Sequence, residues 1–345
     1  MKLRRFASFA AVAALSFGMA ACGGAADKAM DKPADGDKAA APAEVMEVNF
    51  GYIPDLNGTA LIAIANDQKL WEKHNLKVNL KTFTNGPLQI QALGTKDLDY
   101  GYIGNGAFWL PASGKADMAC LIATSQADRL IAQPGIKSIK DLKGKKVGVP
   151  EGTSGDTILT LALEKEGMTV ADIERVPMDP GTVVSAFSAG QIDAAGLWYP
   201  MVDTIKGQVP DLVELAEDKD FEDQMAFPSA IVMRKGLDKE NPELAKRVEM
   251  VLTEALDYRA ENPDKTVELV AALSGQDVEK LKGEAKYIKV LSSKEQVELW
   301  ENGTIKNWLT TMGKFFVKNG KVQEADLLTP ETYFKFDLLK EAAGK

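Results

Sequence analysis

Two windows of the chain align without a gap: residues 85–99, NGPLQIQALGTKDLD, lie over residues 179–193, DPGTVVSAFSAGQID, at a constant offset of 94 residues (179 against 85, 193 against 99). Ala92 meets Ala186, and Leu93, Leu98 and Asp99 meet Phe187, Ile192 and Asp193. Each window reads as a turn, a proline at the helix start, an apolar helix and the entry to a strand. The flanks repeat as well. Strands are expected at 48–53, 77–83 and 98–103 with helices between them, and again at 145–149, 174–178 and 194–197. A β-α-β-α-β unit implies parallel strands with helices on both faces of the sheet. Written twice, it predicts an α/β chain of two similar lobes.

The stretch 145–166, KKVGVPEGTSGDTILTLALEKE, opens the second unit. Val147 and Val149 supply β-branched bulk, Pro150 closes the strand, and Gly152, Thr153, Ser154 and Gly155 precede the helical apolar run Ile158, Leu159, Leu161 and Leu163. The first turn of such a helix leaves N–H groups unpaired at the positive end of its dipole, which suits a small anion. The same residues also make an ordinary capped helix, with Thr153 or Ser154 as N-cap. In the first unit, Asn85-Gly86-Pro87 is a second helix start and Gly104-Asn105-Gly106 follows the third strand. Loops at the carboxyl ends of parallel strands are where ligands collect.

A net charge of −9 over 345 residues, −12 once the leader's Lys2, Arg4 and Arg5 are removed (−9 − 3), argues against nucleic acid or an anionic membrane surface as the partner. With one histidine and two cysteines, one of them in the leader, a histidine-rich metal site, a Ser-His-Asp triad or a Cys-His pair is hard to assemble. His74 is expected at a helix C-terminus and Cys120 without a disulfide partner. No metal, cofactor or catalytic residue is assigned. Residues 1–21 have a basic start, an apolar stretch and small residues before Cys22, the pattern of a secretory signal. Residues 22–45, rich in Ala, Asp, Lys, Gly and Pro, cannot pack a core and are expected to be a disordered tether. The first lobe is then assigned to 46–129 and 229–345, and the second to 130–228. Leu130, Ile131 and Ala132 are expected to pass from one lobe to the other, with a return at 229–233. The mainly helical remainder is expected on the first lobe, with Trp300, Trp308, Phe315 and Phe316 in its core.

The ending Met19-Ala20-Ala21-Cys22 resembles a bacterial lipobox, with methionine in place of the usual leucine, and implies lipidation of Cys22. Together with DLKGKKVGV, the Gly/Thr/Ser helix start and GQIDAAGLWYP, it resembles the solute-binding proteins of ATP-driven importers, in the nitrate/sulfonate/taurine group, over residues 48–333. The resemblance implies a type II periplasmic binding protein fold: two lobes, each a mixed sheet flanked by helices, joined by two hinge crossovers that close on a ligand. It implies a lipid-anchored, exported monomer that hands its ligand to the membrane subunits of an ABC permease. The cleft would be lined by Asp55, Asn57, Gly58, Asn85, Gly86, Gly104, Asn105, Gly106, Thr153, Ser154, Gly155, Asp156, Trp198, Tyr199 and Ser229. The implied ligand is a small anion or zwitterion, an alkanesulfonate or a taurine-like organosulfonate. Nitrate, bicarbonate or a thiamine pyrimidine precursor are alternatives, and an enzyme on the same fold is the alternative of another class. Where taurine binders carry an aspartate this chain reads Phe227-Pro228-Ser229, so an amine would be met by Asp55 or Asp156. Trp198 and Tyr199 either cover a ligand stem or fill the hinge. Arg129 is either a ligand cation or an interlobe ion-pair partner.

Overall fold

Residues 44–344 are described by a computed structural model of the protein. The leader, Cys22 and almost all of the expected tether lie outside the described residues. The first strands are β1 (Met46–Tyr52), β2 (Leu76–Thr82), β3 (Tyr100–Ile103) and β4 (Ala116–Ser125). Then come β5 (Asp128–Ala132), β6 (Lys146–Val149), β7 (Glu174–Pro177), β8 (Ala194–Trp198) and β9 (Val213–Glu217). The last two are β10 (Pro228–Arg234) and β11 (Ile288–Val290). They form two sheets, β11-β4-β10-β3-β1-β2 and β7-β6-β8-β5-β9.

In the first sheet β1 runs parallel to both β2 and β3, and in the second β6 runs parallel to both β7 and β8. The sequence repeat is therefore a repeat of topology. It extends to the helices: Gly86–Gly94 and Pro180–Ser188 have the same length and start and stop 94 residues apart (180 against 86, 188 against 94). Phe50 and Tyr100 face each other on β1 and β3 and stack with ring centroids 5.8 Å apart.

The helix Leu56–Asp67 carries no charge before its last residue, and its residues 56–65 are all buried. A helix apolar all round must be covered all round. Here the long helix Pro242–Glu261 and the helix Pro263–Ser274 pack on it, which places the C-terminal segment on the first lobe. Trp300 stacks on Phe334 and Phe336, and Phe316 is buried, while Trp308 and Phe315 are only half-buried against the core.

The crossings between sheets differ in detail from the expectation. All of β5 belongs to the second sheet: Asp128 and Arg129, expected in the first lobe, pair with Trp198 and Leu197 on β8. The chain changes lobe over Gln126 and Ala127 instead. Pro228, expected in the second lobe, pairs with Thr124 on β4 in the first sheet, and β10 continues antiparallel from it. The ladder to β8 starts two residues before the apolar run, so polar Asp128 and Arg129 become strand residues. His74 caps a short helix and pairs with Glu254 at 2.8 Å, and Cys120 is buried and free.

Candidate ligand-binding site between the two sheets

Local rules place the cleft's edges. Asp55 is the N-cap of the Leu56 helix and accepts the Gly58 N–H at 2.6 Å, and Asn85 caps the Gly86 helix through the Leu88 N–H at 3.1 Å. On the second lobe Thr153 is the N-cap of the helix Ser154–Lys165, but its hydroxyl bonds the Pro150 carbonyl at 2.6 Å rather than a helix N–H. The N–H groups of Ser154 and Gly155 therefore belong to the unpaired first turn. Gly152 adopts φ +70°, a left-handed conformation that glycine takes without strain, and this turns the chain from β6 into the helix.

These turns face one another. Between the lobes they enclose a cavity of about 50 Å³. Of the expected residues, Asp55, Asn57, Asn85, Gly86, Gly104, Asn105, Thr153, Ser154, Trp198, Tyr199 and Ser229 line it. Four do not. Gly58 sits beneath Asp55, against the Ile53 carbonyl and Tyr102. Gly106 packs on the Thr153–Ser154 peptide of the opposite lobe, and Gly155 packs on the Gly196 carbonyl of β8. Asp156 points away from the cleft. It accepts the Gly152 N–H at 3.0 Å and pairs with Arg175 at 2.8 Å and Lys321 at 3.1 Å. Two residues beyond Ser154 on a helix is the other side of the cylinder, which excludes Asp156 as the partner of a ligand amine.

Two carboxylates that sequence reasoning missed complete the lining: Asp128, the first residue of β5, and Glu284, in the helix Val278–Ala285. Glu284 accepts the Leu56 N–H at 3.1 Å through one oxygen. Asp128 accepts from Asn105 Nδ2 at 3.4 Å, and its backbone N–H donates to Asp218 at 2.9 Å. Among the described residues, Asn105 Oδ1, Asp128 Oδ1, Glu284 Oε2 and Ser229 Oγ are buried without a hydrogen-bond partner. Asn105 Oδ1 and a carboxylate oxygen at Asp128 accept only, and an unpaired buried acceptor costs about 1 to 3 kcal/mol, so each of these two awaits a donor.

The electrostatics follow from burial. Desolvation pushes Asp55 up to about 7, against the Gly58 N–H and Arg259, which hold it down, while Asp128 across the cleft pushes it further. Burial and then Asp55 push Glu284 well above the ordinary carboxylate range. Asp218, fully buried beside Asp128, is pushed well up by burial and then by Asp128, while Asp128 is pushed up by burial against the Ser154, Asp218 and Asn105 side chains, which hold it down. The cation that offsets Asp55 and Glu284 is Arg259, whose Nη2 donates to Asn57 Oδ1 at 2.7 Å behind the lining. Burial lowers it to about 10, so it stays charged at neutral pH.

Arg129 is neither of the things expected of it. It pairs with Glu214 at 2.9 Å and Glu217 at 3.1 Å, both on its own sheet. Its guanidinium lies 5.2 Å from the Tyr199 ring and 4.8 Å from that of Tyr287, which comes from the first lobe. It pins the hinge through aromatic faces rather than through an interlobe ion pair. Trp198 and Tyr199 do both things considered for them: they are buried at the hinge and also form one wall of the cleft.

Among the described residues no cluster of His, Cys, Asp or Glu could hold a metal ion, and no helix is long and apolar enough to cross a membrane. A binding protein of Brucella abortus is 50% identical over 295 residues, 86% of this chain and 92% of its own. The taurine-binding periplasmic protein of Escherichia coli is 24% identical over 268 residues, 74% of this chain and 82% of its own. The alkanesulfonate-binding protein SsuA from Xanthomonas axonopodis pv. citri has the same fold, with a TM-score of 0.67 at 19% identity over 84% of this chain and 98% of that one. The desulfurization enzyme DSZB shares that fold too, with a TM-score of 0.63 at 14% identity over 86% of this chain and 99% of that one. Residues 57–266 match the family described as NMT1/THI5 like, and with that match and half-identical relatives over most of its length the chain belongs to this family of two-lobed binding proteins.

Proposed function

We propose that the protein is the extracytoplasmic binding component of an ABC importer, and that it captures a small organosulfonate carrying an amino group, a taurine-like zwitterion. The observation that carries the ligand class is the pair of buried acceptors without partners, Asn105 Oδ1 and Asp128 Oδ1, beside the carboxyl groups of Asp55 and Glu284. An ammonium group supplies three donors and neutralises the acidic floor. The oxyanion end is received by the first turns of the Gly86 and Ser154 helices, one from each lobe, whose dipole ends each contribute about 0.3 to 2 kcal/mol. Neither helix start holds a lysine or arginine, so the anion is bound by backbone N–H groups and hydroxyls.

Nitrate, bicarbonate and plain alkanesulfonates bring no ammonium to the unpartnered acceptors of the cleft, and are disfavoured. A thiamine pyrimidine precursor is the second reading: its ring would lie against Trp198, Tyr199 or Tyr102, and its amino groups would meet the same acceptors. Binding rather than catalysis is supported by the names of the sequence relatives, although the fold also serves an enzyme.

Ligand-dependent melting of the mature domain against taurine, ethanesulfonate, nitrate, bicarbonate and aminopyrimidines tests the reading. A true ligand at a hundredfold excess over its dissociation constant adds about 2.7 kcal/mol of stability. Stabilisation by nitrate or ethanesulfonate and none by amine-bearing compounds would sink it. Export, the lipid anchor at Cys22, the monomeric state and delivery to a permease belong to the same proposal. A Cys22→Ala chain that still carries lipid label and partitions with detergent would remove the anchor.

A further inference from the structure

Outside the ligand cleft, charged side chains of the two lobes meet again. The helix Thr304–Lys318 belongs to the first lobe, where it packs against the segment that follows β3. From its end Lys318 reaches Glu164 of the second lobe at 2.6 Å. Lys321, three residues on, reaches Asp156 at 3.1 Å and Glu151 at 3.5 Å, both in the turn and helix start after β6. The Lys318 side chain is largely exposed, so that pair contributes little. The Lys321 pair is different: the Asp156 side chain is 5% exposed and that of Lys321 28%.

Asp156 is also the anchor of the binding turn. The oxygen that faces Lys321 accepts the Gly152 N–H at 3.0 Å, and the other accepts from Arg175 Nε at 3.0 Å. Thr153 and Ser154, which line the cleft, lie between these anchored residues. Arg175 stays with Asp156 whatever the lobes do, because both belong to the second lobe. Two acids against one arginine leave that patch one negative charge in excess, and Lys321 supplies the missing cation only when the lobes meet.

We propose that Lys321 is a positioning residue for ligand capture: it clasps Asp156 across the lobes, favours the closed arrangement, and fixes the Gly152–Ser154 turn against the ligand. Clasp and ligand both act on the closed state, so each raises the apparent strength of the other by raising the closed fraction. The proposal rests on the reading of the cleft as a closing ligand site.

The test compares Lys321→Met and Lys321→Arg with the parent, using taurine as probe. Lys321→Met is expected to weaken taurine binding roughly five- to thirtyfold, chiefly through faster release. Lys321→Arg should stay within about threefold, and in neither variant should the ligand-free melting temperature fall by enough to account for the change in binding. Parent-like binding and release in Lys321→Met would overturn the proposal. So would a fall in ligand-free melting temperature that accounts for the loss, since the lysine would then be merely structural. If the parent takes no taurine, the ligand reading fails separately, and small-angle scattering of the ligand-free proteins at low salt decides the clasp. A larger radius of gyration for Lys321→Met supports it, and equal radii overturn it.

Discussion

Replacing Asp128 by asparagine separates the two charges that a ligand could bring. In the cleft one oxygen of Asp128 receives Asn105 Nδ2 at 3.4 Å and the other is buried with no partner. Asparagine keeps the shape and one acceptor but removes the negative charge. If an ammonium fills that position, the variant loses a charge-assisted hydrogen bond in a water-poor site, about 2 to 4 kcal/mol, or roughly thirty- to a thousandfold in affinity. Ethanesulfonate, which has the sulfonate without the amine, should bind the variant as well as or better than the parent, because a repelling carboxylate is gone. The ligand-free protein should not lose stability, since Asp128 is already held above the usual carboxylate range by burial. Titration calorimetry with both compounds, beside melting of the free proteins, reads all three effects. Unchanged or tighter taurine binding would refute the reasoning, and so would an equal loss for taurine and ethanesulfonate.

Four further outcomes are expected. A Cβ at Gly106 would fall on the Thr153 carbonyl group and the Ser154 nitrogen of the opposite lobe, so Gly106→Ala should block closure and abolish ligand-induced compaction in scattering while leaving the free protein's melting temperature unchanged. Arg129→Ala leaves Glu217 without its partner and removes the guanidinium between Tyr199 and Tyr287, while Glu214 keeps Lys206, and should destabilise the free protein by about 1 to 3 kcal/mol in chemical denaturation. Glu249, fully buried with neither oxygen partnered, is pushed by burial to about 8 from 4.5, so its favourable contribution is complete below pH 4.5 and is lost as pH rises to 8. Denaturation at pH 8 should therefore show Glu249→Gln more stable than the parent by an order of 3 to 5 kcal/mol, the gap closing toward pH 4.5. Asp55, raised to about 7 from 3.8, has the same sign, and Asp55→Asn should flatten the parent's loss of stability between pH 4 and 7.

What was legible in the sequence is what local chemistry dictates. Asn85 before Gly86-Pro87 announces a capped helix because the cap bond spans only three residues, and it forms as expected. The 94-residue repeat was readable because each copy buries its own alternating strands and apolar helix face. Asp128 and Glu284 were not readable. In SQADRLIA an aspartate before an apolar run looks like a strand's wet end, and in VEKLKGEAKY the glutamate is one of several acids on an amphipathic helix. Their role comes from tertiary burial: the Leu56 N–H that Glu284 accepts lies 228 residues away in sequence. Asp128 follows two residues that cross between lobes, and an Asp-Arg pair at the mouth of an interlobe strand was the signal available. Asp156 falls outside the cleft because, two residues past Ser154, its helical phase turns it to Arg175 and Lys321. Lys321 carries no local signal, since only the meeting of the two lobes gives it an acidic partner.

The central claim, that this cleft recognises an ammonium group with its acidic floor and an oxyanion with its helix starts, turns on one comparison. Calorimetric titration of the unmodified mature domain at pH 7.5 with taurine and with ethanesulfonate isolates the amine, because the two ligands share the sulfonate. The account predicts that taurine binds and that ethanesulfonate binds at least about a hundredfold more weakly, the worth of two charge-assisted hydrogen bonds. Ethanesulfonate binding as tightly as taurine would contradict it.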